Sequence, residues 1–439
     1  MDNNWRRARL IPVRGIGSEK EAEERATSAL LAVLSIVRPL SAELFKPMGA
    51  SGAARATVEC FTEVIFDLDG KKVRPDGLVR VSYGKGTWTA LIEVKTGTSR
   101  LDPDQLTSYI KMARARKFDC VITISNEIAP APGHHPTPAA VPRANSTVQL
   151  HHISWTQLVT TAVRLHEHIG VDDAEQRWLL GELIRYLQHS ASGALSFNDM
   201  GGDWVAVRNA AKDGTLSKGE AGAMDIAQRW DQLVRYIALM MGAQTGLDVV
   251  QYLSRSHASD PRARADAVVK QLADAGRLDA TLRIPNTTGD LEVCVDLRSR
   301  QVVCSTTIKA PEDKGARGRV GWLTRQLRDA APGDLQIESR AHRAKIGPTA
   351  SLAAAVEDSA LLVDDQKRDP ATFTLTSRSD MGAGRIVGKG KGASFIESVE
   401  DAINAFYDQV LSRLSAWQPK AAPRQTVAEP ADEQTFEDG

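Results

Sequence analysis

The chain has 439 residues, 25% of them charged and 42% hydrophobic, a balance that suits a globular protein of two or three domains. Lys plus Arg equals Asp plus Glu at 55 each, so the global charge singles out no partner. A surface for a polyanion must therefore be a local patch. No apolar run approaches the roughly 18 residues of a membrane-spanning helix. The stretch after Arg6, Arg7 and Arg9 is only Leu10-Ile11-Pro12-Val13, too short for the apolar core of a signal peptide. These features lead to the expectation of a cytoplasmic protein with no membrane partner. The four cysteines, Cys60, Cys120, Cys294 and Cys304, contain no C-x-x-C pair and suggest no zinc site. Cys294 and Cys304 can meet across a hairpin near Ser299, but nothing marks the chain as secreted and a disulfide is not expected.

Ser18, with Glu21 three residues on, has the spacing of a capping box and opens a helix predicted over about 19 to 37. Ala22, Ala26, Leu30, Val33, Leu34 and Val37 form its apolar stripe. Strands are predicted at Phe61 to Phe66, Lys72 to Ser82 and Trp88 to Lys95, separated by the turn residues Asp67-Leu68-Asp69-Gly70 and Gly84-Lys85-Gly86. A helix follows from Asp102 to about Arg116, then a buried strand at Phe118 to Ser125. A Pro-rich loop, Ala129 to Pro142, leads to a strand at Val148 to Ile153 and a helix from Trp155 to about His168. The order α-β-β-β-α-β-β-α predicts a mixed sheet with helices on both faces.

Residues 171–280 read as mainly helical, with a short strand near Trp204 to Val207. Residues 281–417 read as an α+β domain. It has a hairpin of Leu291 to Val295 with Val302 to Cys304, a helix at Val320 to Leu327, strands at Leu335 to Glu338 and Thr372 to Ser377, and an amphipathic helix from Phe395 to Trp417. The polar, acidic tail 418–439 is expected to be disordered.

The chemistry concentrates in Arg74-Pro75-Asp76-Gly77 and Ile92-Glu93-Val94-Lys95. Residues two apart on a strand share a face, so Glu93 and Lys95 point the same way, and a hairpin brings Asp76 beside them. Charges on a strand as apolar as Leu91-Ile92-Glu93-Val94 need a partner or a task. Two carboxylates and an ammonium at one point form a plausible Mg²⁺ site for phosphate chemistry. Gln105 and Tyr109 lie one turn apart on the following helix.

Pro75-Asp76, Glu93-Val94-Lys95 and the Gln-x-x-x-Tyr helix together resemble the PD-(D/E)XK nuclease superfamily, and within it the RecB-type nucleases, over residues 15–170. The resemblance implies an α/β fold, a restriction-endonuclease-like mixed sheet flanked by helices, over about 1–170. It implies that Asp76, Glu93 and the Val94 carbonyl hold Mg²⁺ or Mn²⁺. It implies that Lys95 orients or deprotonates a water or stabilises charge on the phosphorane, and that Gln105 and Tyr109 position the metal or the nucleic-acid backbone. Members commonly carry a glutamate on the first helix near the metal; Glu23, on the stripe facing the sheet, is the first choice for this further metal carboxylate and Glu19 the second.

Other features are weaker. His134-His135 and His151-His152 read as structural or solvent-facing rather than as a metal site, since neighbours in a doublet diverge. Gly388-Lys389-Gly390-Lys391-Gly392 lacks the Walker A spacing. The stretch 298 to 345 is rich in Lys and Arg, a possible electrostatic footprint for a nucleic-acid backbone. The expectation is a metal-dependent nuclease acting on nucleic acid, DNA before RNA, in defence, repair or stress response. In this reading the C-terminal domain recruits a substrate or protein partner, self-associates, or holds the nuclease inactive. The rival expectation is a catalytically silent nucleic-acid-binding or scaffold protein on the same fold.

Overall fold

The computed structural model describes residues 11, 18–50, 55–62, 64–68, 70–143, 145–220, 222–330, 335–364, 366, 368–389 and 393–418. The basic N-terminus, Asp69, Gly390 to Gly392 and the tail beyond 418 lie outside the described residues. The elements run in order α1 (Glu19–Ile36), α2 (Arg38–Phe45), β1 (Thr57–Thr62), β2 (Phe66–Leu68), β3 (Lys71–Val73), β4 (Gly77–Tyr83), β5 (Gly86–Val94), α3 (Pro103–Ala115), β6 (Cys120–Ser125), β7 (Gln149–Ser154), α4 (Trp155–Val163) and α5 (Ala174–Leu187). Then come α6 (Trp204–Asp213), α7 (Ala223–Thr245), β8 (Val250–Gln251), α8 (Arg255–Ser259), α9 (Pro261–Ala275), β9 (Arg277–Arg283), β10 (Leu291–Asp296), β11 (Gln301–Lys309), α10 (Ala316–Gln326), β12 (Gln336–Ala341), β13 (Thr349–Ser351), α11 (Leu352–Glu357), β14 (Pro370–Asp380) and α12 (Phe395–Gln409).

The chain forms two compact units, residues 1–306 with 376–412 and residues 307–375 with 413–439. Their borders fall inside β11 and β14, whereas the sequence pattern draws borders at 170, 280 and 417.

In the first unit a five-stranded sheet has the order β1-β4-β5-β6-β7. Its first three strands are antiparallel. β5, β6 and β7 are parallel. The sheet is therefore mixed, as the element order predicts. On one face Leu30, Leu34, Val79, Ile92, Val94, Ile122, Trp155 and Leu183 form the core beneath α1, α4 and α5. On the other, Leu78, Leu91, Leu106, Tyr109 and Val121 pack beneath α3. Strand alternation sends Leu91 and Glu93 to the α3 face and Ile92 and Val94 to the other. Gly77 lets α1 approach β4, because a Cβ there would stand 2.5 Å from Leu31 Cδ1.

Two expected strands break at one cause. Pro75 has no N–H and cannot continue a ladder. The predicted strand Lys72 to Ser82 is therefore two, β3 and β4, and β1 stops at Thr62, opposite Gly77. Phe66 belongs instead to β2, which forms a separate hairpin with β3. α2 was not expected. Pro39 occupies its first turn, where a missing N–H costs nothing, and the chain bends by 103° between α1 and the α2 segment. No single described helix is long and apolar enough to cross a membrane.

The strand expected at Trp204 to Val207 is the first turn of α6. Trp204, Val207 and Ala211 are buried at helical spacing, and Gly214 ends the helix in the left-handed region. β9, β10 and β11 form an antiparallel meander that contains the predicted hairpin of β10 and β11. There Cys304 stands opposite Val293 and Cys294 opposite Val303, so the two thiols point to opposite faces and all four cysteines are free. α12 ends at Gln409, short of Trp417. In the second unit β12 pairs with β13 and neighbours β14, and Val320, Leu323, Ile337, Leu352 and Phe373 are buried. Part of the basic stretch is structural. Arg319 donates to the carbonyls of Pro370 and Glu312, and Arg340 pairs with Glu338 at 2.6 Å.

Candidate active site

The interruption at Pro75 places Asp76 at the mouth of β4 rather than in its ladder. Asp76 Oδ2 accepts from the Val94 N–H at 2.7 Å, which ties the turn to the end of β5. Glu93 is 1% exposed. Lys95, the residue after β5, is held through its backbone from two sides. Its N–H donates to Ile124 O at 2.8 Å, and its carbonyl accepts from Trp155 Nε1 at 2.9 Å. Its Nζ lies 2.7 Å from Glu93 Oε1, 3.2 Å from Glu23 Oε1 and 3.0 Å from Val94 O. Two of these contacts are hydrogen bonds, to Glu23 Oε1 and Val94 O, and the one to Glu93 is an ion pair, so Lys95 stands as an ammonium among carboxylates. Glu23 on α1 thus joins the cluster. Glu19, one turn earlier, instead accepts from Thr98 Oγ1 at 3.3 Å.

Gln105 Nε2 donates to Tyr109 Oη at 2.7 Å, and Tyr109 Oη donates to Arg74 O at 3.0 Å. The two α3 residues therefore clamp the turn that carries Asp76. The Tyr109 hydroxyl also lies beside Glu93, and burial with that carboxylate raises its pKa.

Burial pushes the Glu93 carboxyl up to about 7; Asp76 adds to the rise and Lys95 opposes it. Burial also raises Glu23, against the pull of Lys95. For Lys95 burial acts downward, but Glu93, Asp76 and Glu23 together outweigh it and hold the ammonium above its usual range. Three carboxylates face one ammonium, so the cluster carries excess negative charge whenever all are ionised. Neither buried oxygen of Glu93 accepts a well-formed hydrogen bond; the Lys95 ammonium is its compensation.

Among the described residues no group of three or more His, Cys, Asp or Glu side chains is arranged ready-made around a metal ion. The donor chemistry nevertheless fits a hard divalent cation. Asp76 and Glu93 offer carboxylate oxygens, Glu93 is under-coordinated, and the net charge is negative.

Two features of the surroundings have no counterpart among the sequence-based expectations. The first is a strap across the end of β5. Gly97 N donates to Gly193 O at 2.9 Å. Asn126 Nδ2 donates to the carbonyls of Gly97 at 2.9 Å and Gly193 at 2.8 Å, and its Oδ1 accepts from Leu195 N at 2.8 Å. Gly193 has φ +80°, and a Cβ there would stand 2.7 Å from Thr96 Cβ. Gly193→Ala is therefore expected to destabilise the protein by about 2 kcal/mol in urea unfolding. Spacing in the sequence gives no sign that residues 97, 126 and 193 meet.

The second is a hydrogen-bonded chain through one member of each histidine doublet. Thr137 N–H donates to His135 Nδ1 at 2.9 Å, so the His135 proton sits on Nε2 and points at Thr123 Oγ1, 2.8 Å away. His152 Nε2 lies 2.7 Å from Glu127 O, which only accepts, so His152 carries its proton there. Its Nδ1 then accepts from Thr123 Oγ1 at 2.8 Å. Burial lowers both imidazoles to about 4. His134 turns away, with Nε2 3.0 Å from Ala258 O. Thr123 stands in register with Glu93 across β5 and β6.

No protein-family model, curated protein or solved structure matches the chain.

Proposed function

We propose that the first unit is a metal-dependent nuclease of the PD-(D/E)XK type, with a restriction-endonuclease-like sheet, hydrolysing phosphodiester bonds and acting on DNA in preference to RNA. The observation that carries this reading is Glu93: a buried, under-coordinated carboxylate on a core strand, beside Asp76 and Lys95. A charge so placed weakens the fold unless it has a task. In this reading Asp76, Glu93 and the Val94 carbonyl hold Mg²⁺ or Mn²⁺, with Glu23 behind Lys95. The bound cation supplies charge neutralisation at the scissile phosphate and acidifies a water. Lys95, held as an ammonium by the surrounding carboxylates, stabilises negative charge developing on the phosphoryl oxygens; it is not the proton acceptor. Gln105 and Tyr109 keep the Asp76 turn in place through Arg74 O.

The test is cleavage of linear duplex, single-stranded DNA and RNA with Mg²⁺ or Mn²⁺. Asp76→Ala and Lys95→Ala are each expected to lower the rate by about 100-fold or more. Absence of cleavage on every substrate, with no Mn²⁺ binding that depends on Asp76, would refute the proposal. The Lys95 ion pairs to Glu23 and Glu93 favour a second reading, a silent nucleic-acid-binding or scaffold protein, because they compensate buried charge without a metal. That reading predicts oligonucleotide binding unaffected by EDTA and no cleavage.

A further inference from the structure

We propose that a groove between α3 and the 138–147 loop binds the phosphate backbone of a nucleic acid, at a place separate from Asp76 and Glu93. The groove has a volume of about 680 Å³. Its walls carry Lys111 and Arg114 from α3 and Arg143 from the loop, with Asn145, Ser146 and Thr147 as neutral hydrogen-bonding groups. No carboxylate is among the described residues that line it. Among the described residues none of the three cations makes an ion pair, and Arg114 has only the 3.3 Å bond of Nη2 to Ser146 Oγ. In a chain with equal numbers of acids and bases, three unneutralised cations on one groove are a local concentration of charge. The helix dipole accounts for a cation in the last turn of α3, which is Arg114. It does not account for Arg143, which arrives from a different segment.

The shape argues for a polymer. Lys111 and Arg114 are spaced about 4.5 Å along the helix axis, and a nucleic-acid strand presents a charge about every 3.4 Å. A small anion would be met by an enclosed cradle of backbone N–H groups, whereas these cations stand along an open wall. The stripe through Thr107, Lys111 and Arg114 lies across α3 from Gln105 and Tyr109. Arg114 is therefore about 10–15 Å from the Tyr109 hydroxyl, a distance covered by roughly four nucleotides of one strand. A nucleic acid engaged at Asp76 and Glu93 can reach the groove with its flank. The choice of nucleic acid as the polyanion rests on the nuclease reading; the presence of an anion site does not.

The experiment measures binding of a labelled DNA duplex to the full-length protein in EDTA, by fluorescence anisotropy, as salt is raised. The variant Lys111→Gln/Arg114→Gln/Arg143→Gln is compared with wild type. For wild type, log affinity should fall linearly with log salt. The triple variant should bind at least about tenfold more weakly, with a slope shallower by about 2 to 3, because each phosphate left unneutralised keeps its counterion. If the triple variant fails to fold, Lys111→Gln alone, at an exposed position, should still lower the slope by about 1. An unchanged affinity and slope, or a wild type that binds no oligonucleotide, overturns the groove. Loss of binding in the triple variant of a protein that cleaves nothing leaves the groove standing and removes the nuclease reading.

Discussion

Glu93→Gln is expected to stabilise the metal-free protein above pH 7 and, on the proposed nuclease reading, to abolish metal-dependent cleavage. The sign follows from the raised carboxyl. Glu93 goes from an ordinary 4.5 to about 7 on folding. Its protonated form is the one the fold prefers, so the associated stability is fully present below about 4.5 and is lost as pH rises through about 7. At pH 8 the folded protein carries the whole cost of an ionised buried carboxylate, on the order of 2–3 kcal/mol. Glutamine has the same shape and removes that cost. Lys95 keeps Glu23 as a partner. Chemical unfolding in EDTA at pH 8 should therefore show a more stable variant, while Mn²⁺ binding disappears and cleavage falls about 100- to 1,000-fold or more. If Glu93 were only half of a structural ion pair, the substitution would destabilise, as breaking a buried pair does. Gain of stability with loss of activity is the signature of a site retained for function.

Thr123→Val is expected to destabilise by about 2–4 kcal/mol, since it strands the His135 Nε2–H and the His152 Nδ1 in a buried setting. Valine keeps the β-branched shape, so the loss reports the hydrogen bonds rather than packing. The same two histidines set an acid limit. Their folded values near 4 lie below the ordinary 6.5, so the stability they contribute is complete above about 6.5 and is lost as pH falls towards about 4. The loss should amount to about 3 kcal/mol or more. Glu93 acts in the opposite direction over an overlapping range, and the half-buried His151, also lowered by burial, acts in the same direction as the pair. Urea unfolding from pH 7.5 to 4.5 in the Glu93→Gln background separates the terms. There stability should fall with acid, and a flat profile would mean that the imidazoles accept protons without opening the chain.

Much of the candidate site was legible from residue order. The N-cap at Ser18, the apolar stripe of α1, the alternation that puts Glu93 and Lys95 on one side, and the helix opened by Asp102 are local patterns, and local hydrogen bonding enforces them. The same holds for the mixed sheet, because two apolar strands separated by a helix run parallel. Where reading by pattern failed, the reason is also physical. Trp204 to Val207 has the composition of a strand, yet burial at helical spacing in the tertiary core made it a turn of α6. Pro75 matches half of a signature, whereas its structural effect is to split one expected strand and free Asp76 to cap the Val94 N–H. Gln105 and Tyr109 were expected beside the charged cluster, and residue order could not show that their hydrogen bonds run to each other and to Arg74 O, with the Tyr109 hydroxyl beside Glu93.

Residue order alone was enough to identify the charged residues and the strand that carries two of them, since period and apolar context act over a few residues. It was long-range packing that chose which glutamate of α1 meets Lys95, closed Asn126 and Gly193 over Thr96 and Gly97, and brought His135 and His152 together on Thr123. These contacts join residues that are mostly tens of positions apart. They depend on how helices and loops pack over the sheet, a choice made by burial of the whole core rather than by any short stretch of chain.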